Sequence, residues 1–181
     1  MKIKIRNLIF ILFVLLHIFL FNINVAEWGD SYRILRASEC IRKTFTYPPD
    51  EKRPPLFSII LSVRPNQIDP IVWGRLMMFV LSILGFILFT KFTDLYIKEE
   101  RYKNLALLLF ALNPVFFYWS LRIYADVLFA LLVLLTFYLF KKWQNHLNIQ
   151  KSVLIGFIAG LGIITRFEGY ILVVSLGLGV L

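Results

Sequence analysis

The chain has 181 residues, 59% of them hydrophobic, and a formal net charge of +9. Soluble domains carry about 45–50% apolar residues; here the excess falls in blocks long enough to cross a bilayer, which points away from a soluble enzyme and to a polytopic membrane protein. The basic residues stand between those blocks, as membrane topology and anionic headgroups require and nucleic-acid binding does not, and the single cysteine, Cys40, excludes an internal disulfide or a Cys-based metal cluster.

Lys2, Lys4 and Arg6 precede an apolar run, Leu8–Val25. At 1.5 Å per residue it is about 27 Å long. No small-residue cleavage pattern ends it, so it reads as an uncleaved first membrane helix with its N-terminus inside. His17 has no acidic neighbour on this helix and is expected to be a packed core residue.

Trp28–Leu61 is the long polar segment. Between residues 30 and 45, Ile34, Ala37, Ile41 and Phe45 recur near one side of a helix, and Arg33, Arg36, Arg42 and Lys43 near the other. That pattern predicts a surface helix with its apolar side in lipid and its basic side toward headgroups or an anionic substrate. A turn-rich link, Thr46 to Arg53, leads to Pro54-Pro55. These prolines open a second surface helix over 55–63, too short to span. Asp69-Pro70 then reads as an N-cap and first-turn proline.

The remaining helices are expected at 71–92, 105–121, 125–143, 152–165 and 169–181. Arg75 falls near the outer end of the first of these. Pro114, after Asn113, kinks or ends the second. Tyr118, Trp119 and Tyr124 form an aromatic belt, and Lys91, Lys98, Arg101, Lys103, Lys141, Lys142 and Lys151 mark the inner turns. A single helix through 152–181 would hold Arg166 and Glu168 near mid-bilayer, at a cost of roughly 2.5–3.5 kcal/mol each. A return at Arg166–Gly169 costs less, in a wet cavity opening outward. The expected fold class is all-α: residues 1–181 form one polytopic transmembrane helix bundle with two amphipathic surface helices in the first outer loop. The last helix has only about 12 residues by Leu181, too few to span, so the sequence reads as the N-terminal fragment of a longer protein or a truncated reading frame.

With this topology Asp30, Asp126 and the Arg166–Glu168 pair arrive on one face from three separate connections. Each also has a plain structural reading. Asp30 can cap the surface helix, and Asp126 can pair with Arg122 at i, i+4. Arg166 and Glu168 can form an ordinary turn pair, and the surface arginines can anchor to lipid phosphate.

In order along the chain stand Trp28-Gly29-Asp30-Ser31-Tyr32, Arg53-Pro54-Pro55-Leu56-Phe57, Asn113-Pro114 with Asp126 twelve residues on, and Gly160-Leu161-Gly162-Ile163-Ile164-Thr165-Arg166-Phe167-Glu168-Gly169. This ordered set resembles the N-terminal part of the C-type membrane glycosyltransferases. That group includes the dolichyl-phosphate-mannose protein mannosyltransferases and the aminoarabinose transferase of lipid A. The resemblance implies transfer of a sugar from a polyprenyl-phosphate donor to an acceptor (protein, lipid or glycan) on the outer face of the cell membrane. Asp30 is then the general base. Arg166, with Arg33, Arg36 and Arg53, stabilises the leaving lipid phosphate, and Tyr32 and Glu168 join the substrate-binding set. Asp126 holds a divalent cation or orients an arginine. Ser31 stands where the family often has a second acid, and metal use stays open. The bilayer is a partner and nucleic acid is not. A transporter or lipid-handling protein, and a non-catalytic truncated relative, are the alternative readings.

Overall fold

The computed structural model describes residues 5–24 and 26–180. Lys2, Lys4, Leu181 and the expected end of the first helix at Val25 lie outside them. Among the described residues the regular structure is helical, with no strand. The helices are α1 (Ile5–Leu20), α2 (Gly29–Thr44), α3 (Leu56–Ser62), α4 (Pro70–Tyr96), α5 (Glu100–Ala111), α6 (Pro114–Ser120), α7 (Asp126–Trp143), α8 (Ile149–Ile163) and α9 (Gly169–Val180), with a 3-10 turn at Gln144–His146.

α1 stops at Leu20, short of the expected boundary. The backbone tightens into i, i+3 bonds, from Phe21 N–H to Ile18 and from Ile23 N–H to Leu20. The Asn24 side chain then donates to the Leu121 carbonyl at 2.7 Å. Side-chain amides that bond elsewhere compete with helix continuation. α2 falls within one residue of expectation. It is closed by Phe45 in the left-handed region (φ 56°), whose N–H reaches the Ile41 carbonyl.

The apolar side of α2 does not face lipid, as its pattern suggested. Ile34 and Leu35 are buried with Phe57 and Leu61 of α3 and Met78 of α4, while Phe45 is 92% exposed. Two amphipathic helices joined by a short link bury their apolar faces against each other and the bundle. The Ser58 hydroxyl adds a bond to the Ile34 carbonyl at 3.3 Å.

α4 is capped as expected, Asp69 accepting from the N–H groups of Ile71 and Val72. It continues past residue 92 to Tyr96 because Asp94 has partners there, Arg6 of α1 at 3.7 Å and Lys103 of α5 at 3.0 Å. The expected helix 105–121 is two helices. Asn113 accepts from the N–H groups of Val115 and Phe116 and starts α6 anew at Pro114, so the proline is a first-turn residue and not a kink.

Two buried clusters hold the bundle together. One joins α1 to α4 and α5 through Phe13, Phe86, Leu107 and Ala111. The other joins α2, α3, α4, α7 and α8. At Gly74 α4 comes so close to the α6–α7 link that an added Cβ would lie 2.6 Å from Ile123 Cδ1. His17 is buried as expected, with its ring nitrogens 3.0 Å from the Phe13 carbonyl and the Ser120 hydroxyl.

Among the described residues α4 is the one helix long and apolar enough to cross a bilayer, and α1 and α8 are shorter apolar helices. Val72, Leu76, Val80, Leu84 and Ile87 form an exposed stripe along α4, and α1 exposes Leu8, Ile11, Leu15 and Ile18.

Candidate functional site

Four connections meet at the end of the bundle that carries α2 and α3. They are the first turn of α2, the link before α3, the start of α7 with the residues leading to it, and the α8–α9 turn. The N–H of Leu56, at the head of α3, donates to the Ile164 carbonyl at the end of α8 (2.9 Å). That bond ties the outer loop to the α8–α9 turn. Between these segments lies a cavity of about 380 Å³.

Asp30, Arg53, Asp126, Arg166 and Glu168 all line this cavity, and Phe57, Trp119, Tyr124 and Phe167 supply aromatic wall. Arg53 forms an ion pair with Asp30, and Arg166 forms one with Asp126. Arg166 also grips Glu168 with two bonds, at 3.1 and 2.8 Å. This forked contact holds the Glu168 carboxyl down at about 2. Burial raises the Tyr124 hydroxyl above its ordinary value, and the nearby Asp30 charge adds to the rise.

Tyr32, Arg33 and Arg36 are not brought to this cavity. They line a shallow surface groove with Asp50, where Arg36 pairs with Asp50 at 2.7 Å and Arg33 with Glu51 at 3.3 Å. At about 100° per helical residue, Asp30 and Ile34 share the cavity side of α2 while Tyr32 and Arg36 turn away.

Two of the plain structural readings do not hold. Asp30 does not cap α2; it sits in the first turn, after an N-cap (Trp28) that makes no side-chain bond. Arg122 does not reach Asp126. Its guanidinium carbon lies over the rings of Trp28 (4.4 Å) and Tyr118 (4.7 Å).

Two acids that sequence reasoning passed over hold the region in place. The Glu51 side chain is 1% exposed and paired with Arg33 and Arg53. It also accepts the N–H groups of Lys52 and Arg53 at 3.1 Å. Burial works to raise its carboxyl, but the Arg53 N–H and the two guanidiniums outweigh burial and lower it. Glu27, likewise buried, pairs with Arg75 at 2.8 Å and accepts from the Ile123 N–H. Neither acid stands in a periodic or spaced pattern, so no sequence signal marked them.

Asp126, the residue offered to a divalent cation, gives its carboxylate to Arg166. Among the described residues no three His, Cys, Asp or Glu side chains are placed to hold a metal ion together. This donor set does not fit a resident divalent cation, and no step is routed through one. What the cavity does offer is three carboxylates, two guanidiniums and an aromatic wall within one volume, the equipment for moving a proton beside a stabilised anion.

Residues 52–181 match the family described as dolichyl-phosphate-mannose-protein mannosyltransferase. No curated protein and no solved structure matches the chain. The matched span contains Arg53, Asp126, Arg166 and Glu168 and begins after Asp30. A match over this much of the chain shows that it belongs to that family, and so to the mannosyltransferase-like glycosyltransferases.

Proposed function

We propose that this member of the mannosyltransferase family is a multi-pass membrane glycosyltransferase that moves a sugar from a polyprenyl-phosphate donor to an acceptor hydroxyl outside the cytoplasm. The observation that carries this reading is the meeting of Asp30 and Asp126 with Arg53 and Arg166 in a single cavity with an aromatic wall. Asp30 takes the proton of the acceptor hydroxyl. The acceptor oxygen attacks the anomeric carbon, and the bond from that carbon to the phosphate oxygen breaks. The lipid phosphate leaves with the electron pair. A lipid phosphate needs cations rather than an acid to leave, and Arg166 and Arg53 supply them. Arg53, on Asp30 before the donor arrives, exchanges that carboxylate for the phosphate and frees the base. Asp126 positions Arg166.

Immersion in the bilayer is supported by the distribution of polar groups. Ionic contacts mark both ends of the bundle, Arg6–Asp94–Lys103 at one and Glu27–Arg75 at the other. The exposed apolar stripe of α4 runs between them. In water, surface of that extent marks an interaction site or an aggregation hazard; in lipid it is the expected exterior. Lys98 in the α4–α5 connection, Arg101 and Lys151 in the first turns of α5 and α8, and Lys141 and Lys142 in the last turn of α7 mark the end away from the cavity. The density of these short basic turns and the Lys2, Lys4 and Arg6 cluster, read by the positive-inside rule, support a cytoplasmic N-terminus and an outward-facing cavity.

The test is transfer of labelled sugar from a polyprenyl-phosphate donor in membranes carrying the protein. Asp30→Asn is expected to lose transfer by about a hundredfold or more, the usual contribution of a general base. Equal rates in the variant and the wild type would remove Asp30 from the mechanism.

A further inference from the structure

The cavity is short of positive charge for an anionic substrate. Three carboxylates line it (Asp30, Asp126 and Glu168) against two guanidiniums (Arg53 and Arg166), and both guanidiniums are already ion-paired. A phosphate entering it while both arginines are so paired meets net repulsion. Arg33 and Arg36 bring no relief, since each is held by a carboxylate of the 46–53 link.

Arg122 is placed differently. Among the described residues its guanidinium has no ion-pair or hydrogen-bond partner; it rests over the rings of Trp28 and Tyr118. An aromatic face attracts the cation without using its N–H groups. The planar fork is thus held in position with its donors free. The platform runs into the cavity wall. The Tyr124 ring stands 6.4 Å from Trp28 and 5.3 Å from Trp119, and Tyr124 and Trp119 both line the cavity. Trp28 itself is two residues before Asp30.

We propose that Arg122 on its Trp28–Tyr118 platform is a phosphate-binding subsite at the cavity mouth, which takes the charged group of a prenyl phosphate. The assignment rests on the donor class proposed above. Arg122 takes the phosphate on entry, before Arg53 and Arg166 receive it for transfer, and the attached sugar leads across Tyr124 toward Asp30. Arginine suits the position because two parallel N–H bonds to one phosphate fix orientation, which a lysine point charge does not.

The protein in phosphatidylcholine nanodiscs is titrated with farnesyl phosphate and with farnesol, which has the same tail without the charge, followed by tryptophan fluorescence. Wild type is expected to prefer the phosphate by about tenfold or more, the range for charge-assisted hydrogen bonds. Arg122→Gln removes most of that preference, and Arg122→Lys falls between the two. Full preference retained by Arg122→Gln, with thermal unfolding unchanged, overturns the proposal. Two further arms separate the sources of phosphate. Doping the discs with phosphatidylglycerol, or adding inorganic phosphate, is expected to leave the preference in place. Its loss in either arm makes this a general anion site and overturns the donor assignment. Arg122-dependent binding in a wild type that transfers no sugar supports the subsite while removing the transferase reading.

Discussion

Arg166, in the α8–α9 turn, is ion-paired with Asp126, the first residue of α7, forty positions earlier in the chain. The same guanidinium grips Glu168. The turn is therefore clamped to α7, and the clamp forms one wall of the cavity.

Removing that guanidinium leaves two carboxylates facing each other. Arg166→Gln is expected to lower sugar transfer by about a hundredfold or more, as loss of an anion-stabilising donor does. It should also return the Glu168 carboxyl from about 2 toward its ordinary 4.5. Arg166→Lys keeps a charge but not the fork and should restore only part of the rate. The checks are transfer assays and a carboxyl titration by NMR; an unmoved Glu168 in Arg166→Gln would contradict the clamp.

Glu51 anchors the outer loop from beneath. Glu51→Ala takes a partner from Arg33 and Arg53 and leaves two backbone N–H groups without their acceptor. Leaving buried donors unsatisfied in this way costs about 1–3 kcal/mol. Thermal unfolding in nanodiscs should register the loss, and limited proteolysis should cut sooner between residues 46 and 53. Glu51→Gln, which keeps one acceptor, should be milder.

Acid should loosen the outer face. Glu39 is lowered from 4.5 to about 2, first by its bond to Arg42, with burial opposing and Arg64 and Lys43 assisting. Glu168 is lowered to about 2 by Arg166. Both folded values lie below the unfolded ones, so their stabilisation is complete above the unfolded value of 4.5 and is lost as pH falls toward 2. Melting temperature against pH should be level near neutrality and fall through that window. Glu39→Gln should start lower and show a shallower acid limb.

Gly169 admits no side chain. An added Cβ would lie 2.4 Å from the Ile163 nitrogen and 2.5 Å from the Gly162 carbonyl carbon, and these backbone atoms cannot rotate away. Gly169→Ala should open the turn, displace Arg166 from Asp126 and lower transfer along with stability. Gly156→Ala, with open space around its Cβ, is the matched control and should be neutral or slightly stabilising in a helix.

Sidedness can be read with thiols. In a Cys40→Ser background, Thr46→Cys in the outer loop should react with a membrane-impermeant maleimide in intact cells. Asn145→Cys, in the turn between α7 and α8, should react only after permeabilisation. The reverse pattern would invert the proposed topology.

Local chemistry was readable from the residues themselves. Asp69 stands before a proline and caps the helix that follows, as expected, because a short acceptor side chain reaches the first free N–H groups; Asn113 does the same before Pro114, where a kink or an end was expected. The return at 166–169 followed from the cost of charges in mid-bilayer. The gathering of Asp30, Asp126 and Arg166 was expected from an assumed topology, and all three line one cavity.

The sequence by itself therefore determined most of the helical segments and several of their starts, though not the division of 105–121 into two helices, and it marked the charged connections that meet at the cavity. Periodicity, capping and burial cost act within a few residues and need no knowledge of the rest of the chain. Tertiary structure alone decided the pairing. It turned Tyr32, Arg33 and Arg36 out of the cavity, set Arg122 on Trp28 instead of Asp126, and buried Glu27 and Glu51 under arginines. Each of these outcomes depends on which helix face meets which neighbour. A residue four places away on the same helix and one forty places away across a turn compete for the same guanidinium. Packing geometry settles that competition, and one-dimensional spacing does not contain it.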